Sequence, residues 1–170
     1  MAIRDIHNLG SPVLRRRAEE ITAVDDEVRS LIEDLFDTMA AAGGIGLAAN
    51  QVGVARRVAV INVEDRTFAM INPRIIAAEG RDTREEGCLS IPDAFAEVTR
   101  PERIVLEAQD ENGDVMRVEA GALVARAVQH ELDHLDGVLF IDHISKLKRD
   151  RVIKKFQKSA KRAGDGSHVL

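Results

Sequence analysis

The chain has no Trp, no Tyr and only five Phe in 170 residues. Its core must therefore be built from Ile, Val, Leu and Ala. It has one cysteine, Cys88. That excludes an internal disulfide, fits a reducing cytosol and leaves Cys88 as a candidate thiolate. Nowhere do about 18 apolar residues run together, so no transmembrane helix and no membrane association are expected. The opening MAIRDIHNLG lacks an apolar h-region, so no signal peptide is expected and the cytoplasm is the anticipated compartment. A formal net charge of −5 by itself points to neither nucleic acid nor membrane. What is present, 45% hydrophobic and 31% charged residues, fits one soluble globular domain spanning residues 1–170.

The charge is unevenly placed. Residues 146–162 hold nine Lys/Arg and one Asp, a net of +8, while the rest of the chain carries fifteen Lys/Arg against twenty-eight Asp/Glu, a net of −13. An acidic body with a basic tail hints at an anionic partner.

Residues 1–24 read as irregular, with a turn at Ser11-Pro12. Val28, Leu31, Ile32, Leu35, Phe36 and Met39 follow a helical period, with Asp25 or Asp26 as cap and Gly43-Gly44 as stop. Segments 56–63, 67–76, 94–100 and 103–110 read as strands, and Asn112-Gly113 is a hairpin turn into DVMRVEA. Residues 121–136 and about 145–163 read as helices. The pattern implies an α+β fold, antiparallel strands followed by helices.

QHELDHLDG (129–137) sets His130 and His134 four apart. On a helix such residues lie one turn apart, so both can face one ion. Glu131 lies about 100° round from His130, and Asp133 flanks the other side. Catalytic zinc-type sites use three protein ligands and an open position for water, whose pKa falls toward about 7. A neighbouring carboxylate can shuttle its proton to a leaving amine. A solvated helix face is the plain alternative. The third ligand is not in the motif. Phe140 stands where a metzincin would have His, and no Glu follows Glu131. Asp142 and His143 would need the chain to fold straight back. Cys88, in EEGCLSIP, is the better candidate, since Cys with two His makes a plausible donor set; a buried, inert thiol is the alternative.

GGIGLAANQVG (43–53) has the outline of a phosphate loop, but it follows a helix, and no Lys-Ser/Thr pair comes after it. Its small residues let backbone approach a ligand closely. Gln51 offers an amide N–H that, with a backbone N–H, can hold an oxyanion. A capping turn with a surface Gln is the alternative.

Three segments in order, GIGLAANQ (44–51), EGCLS (86–90) and QHELDH (129–134), closely resemble the three signature motifs of peptide deformylase. SPVLRRRA, INP at 72 and GVLFIDHI at 137 are similar to that family too, so the resemblance spans nearly the whole chain. It implies antiparallel β-sheets around a central metal-binding helix, with a C-terminal helix. It also implies removal of the formyl group from the N-terminal formyl-methionine of nascent bacterial proteins. By resemblance, Cys88, His130 and His134 bind the metal. The ion is Fe(II) in the cell; Zn, Ni and Co also occupy such sites. A water on the metal attacks, with Glu131 as base and then acid. Gln51 and the Leu89 backbone N–H stabilise the oxyanion. Ile45, Gly46 and Gly87 pair with the peptide as an added strand, and Ile45 and Leu123 help line the methionine pocket. Phe95 stands where relatives often carry a polar residue, which implies a different preference beyond methionine. Glu86 or Asp133 is expected to accept a hydrogen bond from a ligating histidine, with Arg100 balancing Glu86. Arg126 is expected to be solvated, and His7, His143 and His168 to be surface or loop residues. The basic helix is expected to dock on the ribosome, where cations meet RNA phosphates; a helix that merely packs by its apolar stripe is the alternative. A zinc metallopeptidase, or an inactive ribosome-binding relative with a structural metal, are the competing readings of the whole.

Overall fold

The structure, a computed structural model, describes residues 2–164. Helix α1 (Asp26–Ala42) starts where the Asp25 side chain accepts the Val28 N–H at 3.0 Å, an N-cap that satisfies one orphan donor of the first turn. It buries Val28, Leu31, Ile32, Leu35 and Met39. It ends at Gly43 (φ 70°), whose N–H bonds back to Ala40 and Met39.

A five-stranded antiparallel sheet follows. It is built from β1 (Gly46–Ala48), β2 (Val58–Val63), β3 (Arg66–Glu79), β6 (Arg103–Gln109) and β7 (Val115–Gly121), in spatial order β1-β2-β3-β6-β7. Strands β4 (Asp82–Cys88) and β5 (Ile91–Arg100) form a separate two-stranded sheet. Helix α2 (Ala122–Leu135) lies between the layers, and α3 (Lys146–Gly164) closes the described chain.

Strand β2 is apolar almost throughout because both its faces are covered. Val58 and Val60 pack with Leu31, Leu35 and Met39 of α1. Their alternates Ala59, Ile61 and Val63 pack with Val124, Val128 and Leu135 of α2. The third cluster seats Val152, Ile153 and Phe156 of α3 on Ile91, Ala94 and Val98 of β5. Helix α3 therefore packs by its apolar stripe, while Arg151, Lys154, Lys155 and Lys158 remain exposed.

The elements expected from the sequence are present within a few residues of their bounds, and two more appear. β4 runs through DTREEGC, where five charged or polar residues mask any alternation, and Glu86 is its one fully buried side chain. β1 is three residues long and wholly buried, a strand formed by pairing with β2 rather than by propensity. His7 is half-buried and bonds Ser11; His143 is exposed; His168 lies outside the described residues. Among the described residues no helix is long and apolar enough to cross a membrane.

Gly43 and Gly137 both have positive φ, but only Gly137 is also crowded. A Cβ there would lie 2.6 Å from the Arg15 carbonyl oxygen, whereas at Gly43 nothing lies within 4 Å. Gly43→Ala should cost about 1 kcal/mol, the left-handed penalty alone. Gly137→Ala should cost about 3 kcal/mol, because backbone must also move. Urea denaturation of both variants checks this; equal losses would contradict it.

Candidate active site

The two helical histidines and the strand cysteine meet. His134 Nε2 lies 3.2 Å from His130 Nε2 and 3.3 Å from Cys88 Sγ. Among the described residues these three side chains form the one group whose donor atoms could hold a metal ion. Metal–nitrogen bonds of about 2.0–2.1 Å in a tetrahedral site separate two nitrogens by about 3.3 Å. The spacing and the thiolate–imidazole donor set both suit a borderline divalent ion. Cys88 reaches the site from the last residue of β4, where a register shift between Gly87 and Cys88 turns the strand toward Ile91. Asp142 and His143 do not join it. Asp142 takes the Arg15 guanidinium at 2.6 Å, and His143 bonds Asp133 at 2.8 Å.

Glu86 orients the first histidine. Its Oε1 accepts from His130 Nδ1 at 2.6 Å, which leaves the Nε2 lone pair for the ion. The same carboxylate accepts two hydrogen bonds from Arg100 at 2.8 and 2.7 Å and one from Arg126 at 2.6 Å. Burial by itself would raise its pKa. The Arg100 and His130 hydrogen bonds and charges outweigh that and hold it well below the usual carboxylate range. Of the two expected partners for a histidine, Glu86 fills the role and Asp133 does not; Asp133 pairs with Arg100 at 2.9 Å and with His143. Phe140 stacks on His130 with centroids 6.3 Å apart.

Arg126 is a correction. It is buried, donating also to the carbonyls of Val98 and Asp82. The sequence predicts a solvated arginine near the pocket mouth; its partners lie on strands distant in sequence. One signal pointed the other way: Arg126 is four residues before His130, on the same helix face.

Glu131 sits beside this cluster in an opposite environment. It is buried, and its Oε1 has no hydrogen-bond partner among the described residues. Burial pushes its carboxyl up to about 7; the His130 charge works against that, and Glu86 adds to it. Strand β1 passes so close that a Cβ on Gly46 would lie 2.5 Å from Glu131 Oε2. Gln51 is fixed by the Ala48 N–H, which donates to its Oε1 at 3.0 Å. Its Nε2 then donates to Ser90 Oγ at 3.0 Å and lies 3.8 Å from Cys88 Sγ. An amide nitrogen has two hydrogens; one goes to Ser90 and the other is directed at Cys88 Sγ in a long, weak contact.

These groups line one cleft of about 560 Å³. Ile45, Gly46 and Gln51 form one wall, Glu86 to Leu89 the other, and Leu123, His130 and Glu131 the helix side. Every site residue expected from the sequence lines it except His134, Arg100 and Asp133; His134 is buried beside Cys88 and His130. Chemically, it brings three donors that could hold a metal ion, a buried carboxyl and a side-chain amide to one small volume, a set able to hydrolyse an amide.

Comparison with known proteins agrees. The family model described as polypeptide deformylase matches residues 3–150. A peptide deformylase of Rhizobium meliloti is 48% identical over 170 residues, covering 96% of this chain and 98% of that protein. One from Agrobacterium fabrum is 50% identical over 167 residues, covering 95% and 98%. The crystal structure of a peptide deformylase from Legionella pneumophila superposes with a TM-score of 0.93 at 38% identity, covering 98% of this chain and all of that one. That of the Ehrlichia chaffeensis enzyme in complex with actinonin gives 0.91 at 38% identity, covering 94% and 98%. The family model over most of the chain, relatives near 50% identical and a fold shared along nearly its whole length, around a buried carboxyl beside a Cys-His-His cluster, make this chain a member of the peptide deformylase family.

Proposed function

We propose that the cleft deformylates the N-terminal formyl-methionine of nascent peptides through the following division of roles. Cys88, His130 and His134 hold one divalent ion, Fe(II) in the cell, with Zn, Ni or Co able to take the same donors. When bound, the ion supplies Lewis acidity, polarising the formyl carbonyl and making water a stronger nucleophile at neutral pH. Glu131 takes the proton of the attacking water and returns it to the amine that leaves. The observation that carries this reading is its buried carboxylate with an unpartnered Oε1 and a pKa near neutrality, the condition in which a group both accepts and donates a proton. Gln51 Nε2 and the Leu89 backbone N–H stabilise the oxyanion. The peptide lies as an added strand between the backbone at Ile45–Gly46 and at Gly87, whose β1 and β4 face each other across the cleft. The methionine side chain points toward Leu123.

Helix α3 supports a second role, docking on the ribosome. Its apolar stripe is already packed on β5, so what it presents outward is a row of cations suited to RNA phosphates. Both roles belong to the cytoplasm, and residues 1–170 act as one domain.

Glu131→Gln should keep its metal and lose at least about 10²-fold in formate release from formyl-Met peptides; near-normal turnover would refute its role as base. Glu86→Gln leaves two buried guanidiniums with a neutral partner, so it should lose about 3 kcal/mol of stability and about 10–100-fold in metal affinity. Denaturation and metal titration read the two effects separately, and intact affinity would show that His130 needs no carboxylate behind it. Replacing Arg151, Lys154, Lys155 and Lys158 with Ala should abolish co-sedimentation with ribosomes at physiological salt. Unchanged co-sedimentation would remove the docking role.

A further inference from the structure

Large apolar side chains are seldom exposed in this molecule. Among the described residues they are Ile3, Ile45, Ile76, Phe95, Val115 and Leu147. Two of the six, Ile45 at 44% and Phe95 at 62% exposure, line the catalytic cleft. Scattered apolar residues need no account, but two on one cleft mouth form a patch that does.

Phe95 is held there by its strand. It faces Gly87 across the β4–β5 pair, and its ring covers that glycine so closely that a Cβ on Gly87 would lie 2.7 Å from Phe95 Cε1. The ring therefore rests one residue from Cys88, beside the strand edge along which the peptide lies. Ile45 stands just before β1, on the opposite wall. The same mouth carries Glu85 and Asp93. Both are exposed, and neither has an ion-pair partner among the described residues.

An extended peptide turns successive side chains to opposite sides. With the methionine side chain directed inward, toward Leu123, the next side chain is directed outward to the rim. We propose that Ile45 and Phe95 form an apolar clamp for the residue that follows formyl-methionine, and that Glu85 and Asp93 select against a carboxylate there. The inference rests on the deformylase reading. Clamping removes apolar surface of the peptide from water on two sides, and the repulsion of like charge supplies the negative half of the specificity. The contact exists in the bound substrate as well as in the transition state, so it acts on KM more than on kcat.

The test is formate release from a series formyl-Met-X-Ser, with X as Phe, Leu, Ala or Asp. Phe and Leu should exceed Ala by about 5-fold in kcat/KM, chiefly through KM, and Asp should fall about 5-fold below Ala. Phe95→Ala should bring the Phe-to-Ala ratio close to 1, and Phe95→Leu should retain part of it. The pair Glu85→Gln with Asp93→Asn should lift Asp to the level of Ala. Val115→Ala, an exposed apolar residue on the far edge strand, should leave every ratio at its wild-type value. Formate released equally from all four peptides overturns the clamp and leaves the deformylase reading standing. A preference that tracks the third residue instead of the second overturns the assignment of position. No formate from any peptide overturns both.

Discussion

One buried carboxylate holds the two halves of this molecule together. The β4–β5 pair shares no hydrogen-bonded strand with the five-stranded sheet. Glu86 of β4 joins it to α2 by accepting from Arg126 and His130, and joins it to the end of its own partner strand by accepting from Arg100. Removing the carboxylate would take away the one acid that two buried guanidiniums share, leaving Arg100 to Asp133 at 2.9 Å and Arg126 to Asp82 at 3.6 Å, a costly loss for buried ions. It would also free the ring of His130 to turn. Fold and site thus depend on the same four side chains: the link that seats the small sheet on the helix also sets Cys88 against the two histidines.

Two glutamates face this region and are driven to opposite states. Glu86 is surrounded by cationic donors and stays ionised although buried. Glu131, also buried, has a free Oε1 and is raised to about 7. Environments that push apart the pKa values of neighbouring acids assign their roles: the first is a fixed charge that orients a ligand, the second a group that can exchange a proton. Gly46 makes the second environment possible. With any side chain there, β1 could not lie against the carboxylate, and water could fill the gap and lower its pKa.

How much of this was legible in the sequence follows from how local each feature is. The helices were legible from period and caps, and His130, Glu131 and His134 from a spacing of four. Cys88 and Gln51 were reached through the resemblance of their motifs and the chemistry a half-site lacks. The features that were missed are fixed by distant contacts. β4 has no alternation to read, because one of its faces meets solvent and the other is dominated by an ion cluster. Arg126 has partners at 82, 86 and 98, none of them visible from its own helix. Asp133 looked as good a histidine partner as Glu86 by spacing, yet the direction of its side chain sends it to Arg100 and His143.

Strand β5 connects the basic helix to the cleft. Its inner face, Ala94 and Val98, lies under Val152, Ile153 and Phe156 of α3. Phe95, between them in sequence, faces the other way by the two-residue period of a strand and sits on the cleft mouth. Packing of α3 therefore fixes the backbone from which the rim residue projects. It also occupies the stripe of Val152, Ile153 and Phe156, so the outer face of the helix around them is mainly cationic, with Arg151, Lys154, Lys155 and Lys158 exposed. A contact made through those cations would weaken with salt and would leave α3 seated on β5, so the rim at the cleft mouth would keep its shape.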